Sequence, residues 1–483
     1  MTDDDDGVLA RVRAATRDGR DRPATGAPEA PARPDEPPAT SAEPSFDPPP
    51  ASPAEVPSAA PPGPDADADF RRKVFYIPGY DPIHPRRYRE LYRKEGAAQA
   101  ELSGYSLALS PKAKGAGAYG WQVRGEVEGR RVATEVEVLV WSDIVRGSMS
   151  NTIPATYWQL VRTAWTYIAS GTLRRLMWLR KGPVIAALYP VGMLLLQALL
   201  ALAAGLLLGA LAAWLVEPLA ALVGVGEALL PALARWAVAL PAFVLVLRWF
   251  KSKDGKLYAY YLMHDYAYSA QLNGANPLPL EARMGEFGER IAQALQEDVD
   301  EVLVVGHSSG AHLGVSILAD LIRAGRLRRR GPALGFLSLG QVVPMVSFLP
   351  AATRLRADLA YLSSRDELAW VDVTAPGDGC AFALCDPVAV SGVQPAGAKW
   401  PLIVSAAFTQ TLKPQTLTAL RWRFFRLHFQ YLCAFDNLPG TPSDYDYFRI
   451  TAGPLTLAER FAGRAPSKSR IDVPASKYTS VAA

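Results

Sequence analysis

The chain has 483 residues, 49% of them hydrophobic, so its length allows about three domains and a sizeable buried core. Its 51 basic and 47 acidic residues leave a formal net charge of +4, which argues against a nucleic-acid-binding protein that works through bulk charge. The three cysteines are an odd number without the spacing of a disulfide framework or a zinc site, so the composition favours a reducing compartment and predicts no metal.

Both ends of the chain have the composition of segments without a fixed fold. Residues 1–69 are rich in proline, alanine and acidic residues and contain almost no aromatic side chains. Such a segment cannot bury enough apolar area to offset the entropy of ordering it, so we expect a disordered tail. Residues 463–483 are similar and are expected to be a flexible tail. The start, "MTDDDDGVLARVR", is acidic where a secretory signal is basic, and no apolar stretch follows it.

The first ordered part is predicted to run from residue 70 to residue 181. A short buried strand over 73–78 ends at a proline-glycine pair, and "PRRYRELYRKEGAAQAEL" then has helical spacing. Alternating apolar and polar residues predict two further strands around a turn near residue 128. The helix predicted over 154–180 is aromatic on one side and basic towards its end. That pattern suits a helix on a membrane surface and equally a helix packed in a core.

Two long apolar runs follow, at residues 182–216 and 228–250. The first run contains no charged residue, and the second is interrupted by Arg235 and two prolines. A helix needs about 20 apolar residues to cross the roughly 30 Å of a bilayer core, and soluble helices rarely go so far without a polar face. We therefore predict a transmembrane helical hairpin over 182–250, with spans at about 184–215 and 228–249. The alternative is a helical hairpin buried in a protein core.

The charges around these runs favour two crossings. Basic residues lie on both outer flanks, whereas the connection between the runs has only Glu217 and Glu227. The basic residues are Arg174, Arg175, Arg180 and Lys181 before the first run and Arg248, Lys251, Lys253 and Lys256 after the second. By the positive-inside rule both flanks are cytoplasmic, which predicts a two-span protein of the inner, cytoplasmic membrane of a bacterium. Arg235 would then lie in the outer part of the second span and could snorkel to the surface.

After the hairpin, helical and strand patterns alternate over residues 251–462. "KLYAYYLMHDYAYSAQ" is predicted to begin with a strand, and "EARMGEFGERIAQALQED" is an amphipathic helix. A strand over 301–306 precedes a helix over 309–325, and "ALGFLSLGQVVP" and "LAWVDVTAPGDG" predict two later strands. This alternation indicates an α/β fold with a mostly parallel sheet, helices on both faces, and the hairpin as an insertion.

The most informative motif is "GHSSG", which has the form G-x-S-x-G with Ser308 at its centre. The apolar run "EVLVV" precedes it and the helical pattern "AHLGVSILADLI" follows it. A tight strand-to-helix turn holds the serine in a strained conformation and leaves no room for side chains at the glycines. The alternative is a glycine-rich turn whose serine has no chemical role.

With this motif the chain resembles the α/β-hydrolase superfamily of lipase- and esterase-like serine hydrolases, over roughly residues 73–180 and 255–455. His307, directly before the serine, also fits lipase-like members. The resemblance implies the chain order serine, acid, histidine. Two histidines follow Ser308: His312 lies one helical turn on and is expected to be structural. His428, in "FRLHFQYLCAFD", is therefore the predicted catalytic base.

The acid is expected in a loop after a late strand, between the serine and the histidine. Asp378 in "WVDVTAPGDGCAF" fits best, Asp386 is the second choice, and Asp372 would fall inside the strand. The acid would hold the imidazole tautomer and stabilise the imidazolium. His264 and Asp265 are adjacent and precede the serine, so they are predicted to be structural or to line the substrate site.

The oxyanion hole that the resemblance implies needs two backbone N–H donors. One would come from Ser309, directly after the nucleophile. The other would come from Tyr80, in the early loop "VFYIPGYDP", where Pro78 stands in place of the usual histidine. Tyr80 precedes the hairpin and Ser308 follows it, so the two can meet only if the chain crosses the membrane an even number of times.

Two functions from different classes follow. The first is a membrane-anchored serine hydrolase that cleaves carboxylic esters, with the bilayer as partner, a lipid or other apolar ester as substrate, and no cofactor or metal. Transfer of the acyl group to an acceptor other than water is a close variant. The second is a non-catalytic, hydrolase-like membrane scaffold or partner-binding protein, which would keep the fold without needing the triad.

Overall fold

The computed structural model of the chain describes residues 68–112, 118–149, 152–223, 228–421, 423–437 and 445–482. Eight strands in this part of the chain form one sheet. They are β1 (Phe70–Ile77), β2 (Ser106–Pro111), β3 (Gly120–Val127), β4 (Arg130–Val138), β5 (Glu301–His307), β6 (Ala333–Leu339), β7 (Ala369–Thr374) and β8 (Leu402–Ser405). The predicted disordered tail lies, except for its last two residues, outside the described residues.

The order of strands across the sheet is β2-β3-β4-β1-β5-β6-β7-β8. β3 runs antiparallel to both of its neighbours, and every other adjacent pair is parallel. The mostly parallel α/β sheet predicted from the sequence is therefore confirmed. β1 and β5 lie side by side near the centre of the sheet, so the loops after these two strands meet at the same edge.

Helices fill most of the connections between strands. The described helices are α1 (Arg86–Ser103), α2 (Ser142–Ser148), α3 (Ile153–Ala169), α4 (Thr172–Leu179), α5 (Lys181–Val223), α6 (Leu229–Ser252), α7 (Asp254–Leu257), α8 (Ala259–Ala270), α9 (Leu278–Ala294), α10 (Ser309–Arg323), α11 (Val343–Ser347), α12 (Thr353–Ser363), α13 (Pro387–Val390), α14 (Phe408–Thr411), α15 (Pro414–Leu420), α16 (Phe424–His428), α17 (Tyr447–Ala452) and α18 (Leu457–Arg460). A 3₁₀ turn follows α16 at Gln430–Leu432.

The sheet separates two apolar clusters, because successive residues of a strand face opposite sides. In β1, Phe75 and Ile77 belong to the cluster that α9, α10 and α12 cover. Val74 and Tyr76 belong to the cluster under α1 and the helices of the C-terminal part. Both faces of the central strands are therefore buried, which explains why these strands read as nearly continuous apolar runs in the sequence.

Two helical predictions differ from the structure. The strand expected at the start of "KLYAYYLMHDYAYSAQ" is instead helix α8, whose buried residues Ala259, Met263, Ala267 and Ala270 recur at helical spacing. The aromatic composition of this stretch favours a strand, but the buried residues repeat with the period of a helix. The single helix expected over 154–180 is divided into α3 and α4 at Gly171, which has a φ of 75°.

The C-terminal segment, predicted to be a flexible tail over 463–483, packs against the domain as far as Ser480, whose carbonyl accepts a 2.8 Å hydrogen bond from Nε of Arg356. Ile471 and Ala475 are buried. The Ile471 N–H donates to the Leu384 carbonyl over 2.7 Å, and the Asp386 N–H donates to the Ile471 carbonyl over 2.9 Å. Backbone pairing and two buried side chains therefore order a segment whose composition alone suggests disorder.

The apolar runs form two antiparallel helices, α5 of 43 residues and α6 of 24 residues. Both are long and apolar enough to cross a membrane. They pack closely at two glycines of α5: a Cβ added at Gly205 would lie 2.8 Å from the Ala239 carbonyl oxygen, and one at Gly209 would lie 2.6 Å from that of Arg235. Small residues at these positions let the two backbones approach each other.

Candidate active site

The turn after β5 holds Ser308 in an uncommon backbone conformation. Ser308 has a φ of 56° and a ψ of −121°, between the buried strand β5 and the first residue of α10. A side chain at positive φ costs about 1–3 kcal/mol and persists only where the surroundings enforce it. The turn is thus built to place a partly exposed serine at the end of the central strand.

Close packing explains both glycines of the motif. A Cβ at Gly306 would lie 2.7 Å from the Gly310 carbonyl oxygen, and a Cβ at Gly310 would lie 2.1 Å from the Ile77 carbonyl oxygen. Both contacts involve backbone atoms, which cannot move aside as a flexible side chain could. The glycines are therefore required by the tight turn and by its contact with the end of β1.

The loop after β1 lies directly against the serine. A Cβ at Gly79 would be 3.0 Å from the Ser308 Cβ and 3.4 Å from its Oγ. The indole N–H of Trp141 donates to the Pro78 carbonyl over 3.0 Å and fixes the loop from the other side. The Tyr80 carbonyl accepts a 2.5 Å hydrogen bond from the Tyr261 hydroxyl.

The two predicted oxyanion donors flank this contact. The side chain of Tyr80 is buried, and its hydroxyl makes a 2.6 Å hydrogen bond with the Ser148 hydroxyl. Ser309 begins α10, where the first N–H groups of a helix have no partner within the helix. Among the described residues, no acceptor pairs with the backbone N–H of Tyr80 or of Ser309. Both donors are thus available to a ligand next to Ser308.

His428 and Asp378 form a buried pair. The Nδ1–H of His428 donates to Oδ2 of Asp378 over 2.7 Å, and the two residues are 6% and 2% exposed. The other carboxylate oxygen accepts the Cys380 N–H over 2.8 Å. Burial alone would raise the pKa of Asp378, but the imidazole of His428 and the hydrogen bonds that the carboxylate accepts hold this pKa below its ordinary value.

Tyr431 is a third member of this group that the sequence analysis did not identify. Its hydroxyl donates to Oδ2 of Asp378 over 3.0 Å and accepts the Ala375 N–H over 2.9 Å. The hydroxyl thus ties the carboxylate to the end of β7. The only signal in the sequence is that Tyr431 lies three residues after His428, which places both side chains near each other on one turn.

The imidazole of His428 lies beside the turn that carries the serine. The Ser308 N–H donates to the Leu339 carbonyl over 2.9 Å, and a Cβ at the next residue, Gly340, would lie 3.0 Å from Cε1 of His428. Nε2 of His428 is buried and has no hydrogen-bond partner among the described residues. The hydrogen bond between this nitrogen and the Ser308 hydroxyl is therefore not formed in this conformation.

His307 is hydrogen-bonded to the backbone of His428. Its Nε2–H donates to the His428 carbonyl over 3.0 Å, and the two ring centroids are 4.9 Å apart. Burial, together with the neighbouring His428 ring, lowers the pKa of His307 to about 3. This imidazole is therefore neutral at physiological pH and acts as a hydrogen-bond donor that positions the backbone of His428.

The other candidates occupy structural positions. Asp386 caps α13 by accepting the N–H groups of Val388 and Ala389, and burial raises its pKa to about 6. Asp372 lies inside β7, as the sequence predicts, and accepts a hydrogen bond from Ser338. His312 points into the protein one turn into α10, where burial lowers its pKa to about 4. None of these three side chains contacts His428.

Asp265 lines a cavity next to Ser309, as do Trp141, Tyr268 and His312. The cavity has a volume of about 360 Å³, including the part open to solvent. Within the described residues the Tyr268 hydroxyl and Nδ1 of His312 are buried without a hydrogen-bond partner. Burial raises the pKa of Asp265 to about 7. The neighbouring His264 instead bonds Gln159 of α3 over 2.7 Å and is structural.

One group of side chains has the composition of a metal site. Donor atoms of Asp378, Cys380 and His428 lie within 4.8 Å of one another. However, the carboxylate and the imidazole are 2.7 Å apart, whereas two ligands at roughly 2.0–2.3 Å from a tetrahedral ion are more than about 3.2 Å apart. Burial also raises the pKa of the Cys380 thiol, which opposes the thiolate form that metals bind. The arrangement fits a hydrogen-bonded pair and does not fit a metal.

The site thus combines a strained serine, a buried carboxylate–imidazole pair near its turn, and the backbone N–H groups of Tyr80 and Ser309, which have no acceptor among the described residues. Comparisons of the chain with family models, with curated proteins and with solved structures find no match in any of the three sets.

Proposed function

We propose that the protein is a membrane-anchored serine hydrolase of the α/β-hydrolase superfamily that cleaves carboxylic esters. The observation that carries the proposal is the placement of the Asp378–His428 pair beside Ser308, which itself has the strained backbone of a nucleophile turn. Three chain segments far apart in sequence supply this group, and a glycine-rich turn without chemical function would not require them to meet.

In the proposed reaction the Ser308 oxygen attacks the ester carbonyl while Nε2 of His428 removes the hydroxyl proton. The alkoxide of the alcohol then leaves with that proton, and the acyl group remains on the serine. Water attacks the acyl-serine, His428 takes a proton from the water, and Ser308 recovers its proton as the acid leaves. Asp378 keeps the proton on Nδ1, so that Nε2 is the basic nitrogen.

The Ser308–His428 hydrogen bond has to form when substrate binds. Catalytic hydrogen bonds are often long or misaligned without substrate and tighten in the complex. Nε2 of His428 is buried and has no partner in the described part of the chain, so forming this bond would satisfy a nitrogen left unpaired there. The Tyr80 and Ser309 N–H groups would bind the oxyanion, and each such donor contributes about 3 kcal/mol to catalysis.

Membrane anchoring is the second part of the proposal. A hairpin buried in a protein core would hide its leucines, but α5 and α6 expose large apolar side chains along most of their length, such as Leu199 at 63%, Leu207 at 71% and Leu233 at 57%. Exposed apolar surface of this extent suits lipid. The basic flanks of the hairpin support a cytoplasmic position for the α/β domain.

The hairpin suggests the substrate class. Its base lies against the site, because a Cβ at Gly182 of α5 would be 3.4 Å from the carbonyl oxygen of Gly379, the residue after Asp378. In the proposed arrangement the site is therefore on the side of the domain that carries the hairpin. Esters of lipids or other apolar acids are then the substrates that reach the serine at the highest local concentration. Asp265, whose pKa burial raises to about 7, lines the adjoining cavity. It is proposed to contact the polar part of the substrate.

A fluorophosphonate probe tests the catalytic proposal. In full-length protein reconstituted into vesicles, the wild type should be labelled and Ser308→Ala should not. Ser309→Ala is the matched control, because it removes a neighbouring hydroxyl and keeps the backbone N–H, and it should be labelled like the wild type. Absence of labelling in folded wild type would favour the non-catalytic scaffold. Product analysis then separates hydrolysis from acyl transfer.

A further inference from the structure

Helix α8 packs on the hairpin with one face and on the loop after β1 with another. Ala259 and Met263, one turn apart, belong to the same apolar cluster as Leu194 of α5. Tyr261 packs instead against the core cluster that contains Tyr80. Residues two positions apart on a helix point about 200° apart, so α8 can contact both partners at once. Residues 78–81 of that loop are named here the oxyanion loop.

The hydroxyl of Tyr261 is bonded to the oxyanion loop. It donates to the Tyr80 carbonyl over 2.5 Å, and no backbone N–H of the described residues donates to that carbonyl. Burial raises the pKa of Tyr261, so its hydroxyl stays protonated and remains a donor at neutral pH. This bond orients the peptide unit that follows Tyr80.

The Tyr80 N–H, which is proposed to bind the oxyanion, lies between two hydrogen-bonded carbonyls. The indole N–H of Trp141 holds the Pro78 carbonyl before it, and the α8 tyrosine holds the Tyr80 carbonyl after it. Between these two bonds the loop touches the serine turn through Gly79. A shift of the loop by about 1 Å would misplace the donor, and a misplacement of this size can cost about 100-fold in rate.

The base of the hairpin holds the segment from which α8 starts. The carboxylate of Asp254, two residues after the end of α6, accepts the N–H groups of Tyr260 and Tyr261 over 2.9 and 3.0 Å. These are among the first N–H groups of α8, which have no partner within the helix. From α5, the Tyr189 hydroxyl donates to the Leu257 carbonyl over 2.8 Å. Both hairpin helices are thus connected to the start of α8, one through the chain and one through a hydrogen bond.

We propose that Tyr261 is a positioning residue, which holds the Tyr80 N–H where the oxyanion forms, and that α8 takes its own position from the base of the hairpin. The inference rests on the proposed hydrolase function and adds a physical link between the apolar hairpin and the chemical step. Tyr261 acts through the backbone of the oxyanion loop. A hairpin that shifts relative to the α/β domain would carry α8 with it and move the donor away from the serine.

The experiment compares Tyr261→Phe with Tyr260→Phe in full-length protein reconstituted into phosphatidylcholine vesicles. Each variant removes one hydroxyl from neighbouring positions of α8 and keeps the ring. The Tyr260 hydroxyl is buried and has no hydrogen-bond partner in the part of the chain that is described, so Tyr260→Phe is the matched control. The readouts are kcat and KM for p-nitrophenyl butyrate, with the concentration of active sites titrated by a fluorophosphonate, and the rate constant of fluorophosphonate labelling.

We expect Tyr261→Phe to lower kcat and the labelling rate constant by about tenfold or more while KM stays within about twofold, because an oxyanion donor acts in the transition state. A purely structural loss would lower the number of active sites and leave the rate per site unchanged. Tyr260→Phe should match the wild type in every readout. A rate per site in Tyr261→Phe equal to that of the wild type would overturn the inference and leave the hydrolase function intact.

The link to the hairpin is tested with Asp254→Ala, which leaves two N–H groups of α8 without their acceptor. This variant should lower kcat about threefold or more at unchanged KM. The double variant with Tyr261→Phe should be no slower than Tyr261→Phe alone, because both changes act on one contact. Multiplying losses, or a wild-type kcat in Asp254→Ala, would overturn the link. A wild type that does not react with the fluorophosphonate would instead overturn the hydrolase function and this inference together, so the two failures are distinguishable.

Discussion

Replacing Asp378 by asparagine should remove most of the reactivity of the serine while leaving the fold in place. The carboxylate accepts three hydrogen bonds, from the His428 ring, the Tyr431 hydroxyl and the Cys380 N–H. An asparagine side chain has one oxygen and one NH₂ group. Whichever way the amide is oriented, its NH₂ group faces at least one of these donors.

The more damaging orientation places the NH₂ group against His428. The imidazole then has to present Nδ1 as an acceptor and carry its proton on Nε2, which removes the base from the serine. A tautomer change of this kind lowers the rate by about 10³–10⁴-fold, or about 4–5.5 kcal/mol in activation free energy. The opposite orientation leaves the Cys380 N–H unpaired in a buried site and costs about 1–3 kcal/mol of stability.

The assay is the second-order rate constant of fluorophosphonate labelling at neutral pH, measured on reconstituted full-length protein together with its thermal unfolding. Asp386→Asn is the matched control, because asparagine caps a helix about as well as aspartate and α13 keeps its cap. Labelling of Asp378→Asn within about threefold of the wild type would refute the reasoning. A loss of labelling in Asp386→Asn instead would make Asp386 the acid.

Three further predictions concern the loop, the sheet and the hairpin. Gly79→Ala should slow fluorophosphonate labelling by about tenfold or more, because the new methyl group would lie 3.0 Å from the Cβ of Ser308. The control Gly147→Ala, whose methyl group would have nothing within 4 Å, should label normally and stabilise α2 by about 0.5–1 kcal/mol. Burial raises the pKa of Asp372 to about 8, so the folded state holds this proton more tightly than the unfolded state, and stability should fall as pH rises from about 4 to about 8. Asp372→Asn should abolish that part of the pH dependence of the unfolding temperature. An unchanged slope of unfolding temperature against pH in the variant would contradict the assignment. Leu207→Arg should cost about 3 kcal/mol of insertion and release protein from alkaline-washed membranes, whereas Leu278→Arg should stay membrane-bound like the wild type.

The sequence predicts the features that depend on neighbouring residues. The strained turn around Ser308 is recognisable because its glycines, its serine and the flanking strand and helix are contiguous in the sequence. The pairing of Asp378 with His428 could be expected because few candidates follow the serine in the required order. Tyr431 could not be found in this way, since its contact with Asp378 joins residues 53 positions apart. The sequence does not distinguish this tyrosine from the others as a partner of the carboxylate.

The incorrect predictions arise where packing overrides local pattern. The aromatic composition of α8 suits a strand, and only the helical spacing of its buried residues Ala259, Met263, Ala267 and Ala270 reveals the helix. The composition of the C-terminal segment predicts disorder, but Ile471 finds a backbone partner at residue 384 that no local rule could identify. The two faces of α3 are visible as a pattern in the sequence, but which of them packs inside follows only from its contacts in the fold.

The central pair of strands sets an order in which the protein can be made. β4 reaches β1 early in synthesis, but β5 follows β1 by more than two hundred residues and by both helices of the hairpin. A ribosome adds about 5–20 residues per second, so one edge of β1 waits roughly 10–45 s for its partner. In the proposed topology the edge of β1 that pairs with β5 stays open until both α5 and α6 are inserted. A chain in which only one of these helices crosses the membrane would leave β1 on one side of the bilayer and β5 on the other. Membrane insertion is then a precondition for folding of the α/β domain, and a nascent chain stalled in the hairpin exposes a strand edge that chaperones or proteases can recognise.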